Sequence, residues 1–153
     1  IHLEELFLGS ANTLRLLGDI QLTTKYLRVS SNSTVELNGF TEIYVKEGAV
    51  GGDSVYIEAG SVINNTRRPK DFALFVQGTK QVRIGSNVIY QGTIYAPDNS
   101  VELGAGTQFF GSVLGDVVNL GANLRLHQDL ALQREGTAGS SQTPSVRMRY
   151  WSD

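Results

Sequence analysis

The chain is expected to wind as a parallel β-helix, an all-β solenoid of about six coils, on three observations. A short motif recurs as Val82-Arg83-Ile84-Gly85-Ser86-Asn87, Val101-Glu102-Leu103-Gly104-Ala105-Gly106 and Val118-Asn119-Leu120-Gly121-Ala122-Asn123, at spacings of 19 and 17. Self-similarity at such a period marks a stacked-repeat architecture. Within each copy apolar and polar residues alternate, which is the period of a strand. After each comes Gly or Asn, the residues that enter positive φ at low cost.

Earlier copies are read at Leu14-Arg15-Leu16, Val35-Glu36-Leu37 and Val55-Tyr56-Ile57. Stacking these starts makes Leu37, Ile57, Ile84, Leu103 and Leu120 the expected core column, with the intervening residues facing solvent. The bend is assigned to Gly18, Gly39, Gly60, Asn87, Gly106 and Asn123. A second strand follows it, carrying Leu22, Ile43, Ile63, Tyr90, Phe109 and Leu126. A third run, Ile94-Tyr95-Ala96 and Val113-Leu114-Gly115, closes the coil. Coils stacked at about 4.8 Å would form a rod of roughly 30 Å. Long, irregular coils favour the right-handed form.

Residues 1–132 are thus assigned to the solenoid. The insertion Asn64-Asn65-Thr66-Arg67-Arg68-Pro69-Lys70-Asp71 lengthens one coil. A Gly/Ser/Thr-rich linker is expected over 133–145 and a strand or cap over 146–153. The 17 glycines suit a turn-rich β chain. Absence of cysteine excludes disulfides and thiolate metal sites. A net charge of −2 without a basic run gives nucleic-acid binding no electrostatic support, and no stretch is apolar enough to span a bilayer.

Candidate chemistry is sparse. Asp53, Asp98 and Asp116 each precede a coil start, which places them near one corner as candidate Ca²⁺ ligands or, more simply, as turn residues. No catalytic residue or cofactor is assigned, since Arg15 with Glu36 and Arg83 with Glu102 read as cross-strand partners rather than as a general acid and base. His127 falls beside Phe110 of the preceding coil. Tyr44, Val62, Ile89 and Phe110 are outward and apolar, an interaction strip if stacked. Arg67, Arg68 and Lys70 make the insertion a candidate contact for an acidic partner.

The stretch from Phe72 to Leu132, above all Gly92-Thr93-Ile94-Tyr95-Ala96-Pro97, Phe110-Gly111-Ser112-Val113-Leu114-Gly115-Asp116 and His127-Gln128-Asp129-Leu130-Ala131-Leu132, resembles the C-terminal β-helical domain of bacterial PilX-type pilus-assembly and surface proteins. The ending Tyr150-Trp151-Ser152-Asp153 is similar too. Gln128 and Leu130 depart from the family's usual His-Tyr-Asp-Glu-Ala-Leu. The resemblance implies a non-enzymatic structural or adhesive module, extracellular or on the cell surface, with partners in a type IV pilus or surface assembly, or a surface glycan. A carbohydrate-active β-helix enzyme and a bactofilin-like self-assembling scaffold remain the alternatives.

Overall fold

The computed structural model describes residues 1–46 and 52–128, which form a parallel β-solenoid of about six turns with no α-helix among the described residues. Three faces run along the rod. The first stacks β1 (Glu5–Leu8), β4 (Tyr26–Val29), β7 (Val55–Ile57) and β10 (Val82–Ile84), then the ends of β11 (Ile89–Leu103) and β12 (Gln108–Leu120). The second stacks β2 (Thr13–Leu17), β5 (Thr34–Asn38), β8 (Val62–Ile63), the starts of β11 and β12, and β13 (Arg125–His127). The third stacks β3 (Ile20–Thr24), β6 (Thr41–Val45), β9 (Phe72–Val76) and the middles of β11 and β12.

Every pairing is parallel, so like positions of successive coils meet and their side chains form columns. Inward columns are apolar because alternate residues of each strand point into the rod. One runs Leu8, Val29, Ile57, Ile84, Leu103, Leu120. Tyr90 and Phe109 occupy another as fully buried rings, 4.9 Å apart and within 6° of parallel. Burial holds the Tyr90 hydroxyl proton far above its ordinary pKa.

The register corrects the sequence reading in the first two coils. Val55 pairs with Leu27, not Val35, and Val35 pairs with Ile63. Leu14 and Val35 therefore belong to the second face, and Leu22 and Ile43 stack on the third with Leu74 and Ile94. All three faces alternate apolar and polar in the same way, so periodicity identifies a strand without naming its face. Leu37 is buried as expected, but on the second face, while Ile57, Ile84 and Leu103 are fully buried on the first. Leu120 continues their column yet is 58% exposed, because it stands on the last described coil of that column.

The six expected bend residues all have positive φ. Four of them, Gly60, Asn87, Gly106 and Asn123, turn the corner between the first and second faces; in the first two coils that corner is Ala11 and Asn32. Asn side chains here lie against the next coil. A Cβ on Gly60 would collide with the Asn32 amide oxygen, and one on Gly106 with that of Asn87. Buried hydroxyls beside the corner bond to main chain: Ser33 Oγ donates to Gly9 at 2.8 Å and Thr107 Oγ1 to Gly85 at 2.9 Å. The expected linker over 133–145 and strand or cap over 146–153 lie outside the described residues.

Candidate functional site

The first face carries the most organised outward column. Phe7, Arg28, Tyr56, Arg83, Glu102 and Asn119 occupy equivalent positions in successive coils, so rings and guanidinium groups alternate along the rod. The Arg28 guanidinium lies 5.8 Å from the ring centroids of both Phe7 and Tyr56, and that of Arg83 lies 5.4 Å from Tyr56. Each such contact contributes about 0.5–1 kcal/mol at an exposed site.

Carboxylates complete the column from the side. Arg28 Nη2 is 2.6 Å from Glu58, whose other oxygen accepts from the Ser31 amide and hydroxyl at 3.2 and 3.0 Å. These bonds, with Arg28 foremost, hold the Glu58 carboxyl below its ordinary pKa, while Glu58 raises that of Arg28. Arg83 lies between Asp53 at 3.4 Å and Glu102 at 3.5 Å. The Tyr26 hydroxyl donates to Glu5, and this bond is the main cause that raises the Tyr26 pKa.

Beside the column an open groove of about 470 Å³ is lined by Glu5, Phe7, Tyr26, Leu27, Arg28, Gly52, Asp53 and Tyr56. Phe7 is 57% exposed at its mouth. Geometry of this kind suits recognition: planar groups are held in place by the coils, and the acids and bases are paired with one another.

The outward apolar residues expected to share a strip lie on different faces. Asp53 faces Arg83, and among the described residues no group of three or more His, Asp or Glu side chains gathers in a way that would hold a metal ion; Asp98 and Asp116 join no such cluster. Tyr44 and Phe110 do not share a strip. Tyr44 lies on the third face, stacked on Phe75 at 4.8 Å, with Tyr95 6.1 Å beyond and Leu114 in register after it. Phe110 lies on the second face against His127, ring centroids 4.6 Å apart, while Val62 and Ile89 pair at a different outward position. Arg15 meets Glu36 at 2.7 Å and Arg83 meets Glu102, as expected for cross-strand partners.

The insertion is anchored from below. Asn64 is fully buried; its Nδ2 donates to the carbonyls of Arg68 and Gln91 at 3.0 Å each, and its Oδ1 accepts from the Thr66 amide and hydroxyl. A 3-10 turn, Pro69–Asp71, follows, with Pro69 buried. Arg67, Arg68 and Lys70 are exposed on this frame, and Arg68 pairs with Asp71 at 3.3 Å.

Phe7, Tyr26, Arg28 and Glu58 come together only when Leu27-Arg28-Val29 is a repeat start, outside the copies that begin at Leu14, Val35 and Val55. Its match to Val82-Arg83-Ile84 is the signal that would have found it.

Fold and surface together define a β-solenoid module whose outward faces bear side-chain ladders. The chain belongs to the family described as Domain of unknown function (DUF7305), whose pattern matches residues 13–135. No curated protein and no solved structure matches it. Among the described residues no helix is long and apolar enough to cross a membrane.

Proposed function

We propose that this chain is a non-enzymatic structural or adhesive module of a secreted, cell-surface or type IV pilus-associated bacterial protein, presenting the faces of a rigid β-helix to a partner. The observation that carries this reading is the first-face ladder and its groove. Rings and charges there are fixed by the coil register, so a partner meets a surface that loses little side-chain entropy on binding. Pairing of both arginines with carboxylates favours recognition over acid–base chemistry, which needs a carboxyl poised to exchange a proton. The resemblance to PilX-type domains supplies the pilus and surface context.

A second reading, end-to-end assembly into a scaffold, is favoured by Val117, Val118, Leu120 and Leu126, apolar and exposed on the last described strands. Mass spectrometry of the native protein in sheared surface, membrane and cytosolic fractions tests the first reading. Recovery from the surface or membrane fraction with a processed, apolar pilin-like N-terminus is expected. Recovery from the cytosol alone would sink that reading and favour the scaffold.

A further inference from the structure

We propose that the first-face groove is a docking site for an arginine side chain of a protein partner, held against Phe7 and between the carboxylates of Glu5 and Asp53. The inference rests on the reading of the chain as a partner-presenting module and names the chemistry of what is presented to.

The molecule itself displays the mode of recognition. Twice on this face a guanidinium lies near an aromatic ring and also reaches a carboxylate: Arg28 with Phe7, Tyr56 and Glu58, and Arg83 with Tyr56, Asp53 and Glu102. Phe7 repeats the aromatic half of that arrangement at the groove mouth, 57% exposed, with Glu5 two residues before it on the same outward side of β1. Outward residues on one strand lie about 7 Å apart, within reach of one guanidinium fork.

Charge favours a cation. Glu5 and Asp53 line the groove, and its one lining cation, Arg28, already has two nitrogens within 3.0 Å of Glu58. Asp53 shares Arg83 with Glu102, so acid exceeds base on this face. Tyr56 has two guanidinium groups near it, Arg28 and Arg83, whereas Phe7 has Arg28 alone and is 57% exposed, so Phe7 is the ring that can take a newcomer. A groove of about 470 Å³ holds a whole arginine side chain with its water. Guanidinium is preferred to ammonium because it stacks on a ring and forks onto a carboxylate at once, whereas a lysine head is a compact, strongly hydrated point charge.

The test uses the full 153-residue chain and capped tetra-arginine as probe, followed by NMR of the groove residues and by calorimetry. Saturable binding that shifts the Tyr26 and Phe7 resonances is expected. Phe7→Ala and Glu5→Gln should each weaken it about three- to tenfold, and tetra-lysine should bind more weakly than tetra-arginine by a similar factor. Both substitutions are at exposed positions and should leave the melting temperature nearly unchanged; should Phe7→Ala unfold the chain, Glu5→Gln and the lysine comparison decide. Absence of saturable shifts in the groove, equal binding of the two peptides, or displacement of tetra-arginine by the neutral probe cellohexaose would each overturn the proposal. Those results leave the surface-module reading standing, since that reading is decided by where the native protein is recovered.

Discussion

Arg28 and Glu58 join neighbouring coils through two bonds to one carboxylate oxygen, at 3.0 Å from Nε and 2.6 Å from Nη2. The Glu58 pKa is lowered in the folded chain from its ordinary 4.5, so the pair stabilises the fold above that value. The contribution is lost as pH falls through the lower folded value. With Arg28 half exposed, solvent screening limits it to about 1 kcal/mol or less. Glu58→Gln should therefore lower urea stability modestly at pH 7, and the gap from wild type should narrow as pH falls below 4.5. A gap that widens as the pH falls contradicts the assignment.

Position along one column decides the cost of a charge. Leu103 is fully buried and Leu120 is 58% exposed in register with it. Leu103→Asp is expected to cost more than about 4 kcal/mol and abolish cooperative folding. Leu120→Asp should cost less than about 1 kcal/mol. Thermal melts followed by circular dichroism separate the two, and equal losses would refute the column's described end.

Glycines fall into two grades. Gly18 has φ of +83° with open space where a Cβ would stand, so Gly18→Ala carries only backbone strain, about 1 kcal/mol. At Gly111, φ is +138° and a Cβ would run into the carbonyl of Gly92 on the neighbouring coil. Gly111→Ala should force the coils apart and lower the melting temperature several times further than Gly18→Ala.

The insertion separates anchor from surface. Asn64 makes four hydrogen bonds from a buried position, so Asn64→Ala leaves several polar groups unsatisfied and should cost about 2–3 kcal/mol. Replacing Arg67, Arg68 and Lys70 together by Ser should change the melting temperature by only a few degrees. A large drop in the triple variant would make those side chains part of the frame.

Much of the fold was legible because stacking repeats itself in sequence. Tyr90 and Phe109, 19 residues apart, fall in one motif and in one column. The early coils were harder: Val35 and Ile63 are separated by residues 46–54, whose length breaks the period, while Val55 offers a nearer false partner. The candidate site was mostly illegible for the same reason. Arg28 is assigned to Tyr56 only once Leu27 is known to pair with Val55, and Phe7 only once β1 is placed beneath β4. Local charge pairs such as Arg15 with Glu36 are legible all the same, because β2 and β5 are neighbours on the second face in the register the repeat implies.

Every surface ladder depends on that register, so disulfide scanning of the cysteine-free chain is the most direct test. With Thr34→Cys and Val62→Cys, outward positions that pair in adjacent coils, a disulfide should form readily under mild oxidation. With Glu36→Cys and Tyr56→Cys, which lie on different faces, none should form. Cross-linking of the second pair and not the first would restore the sequence alignment and dissolve the Phe7, Arg28 and Tyr56 ladder.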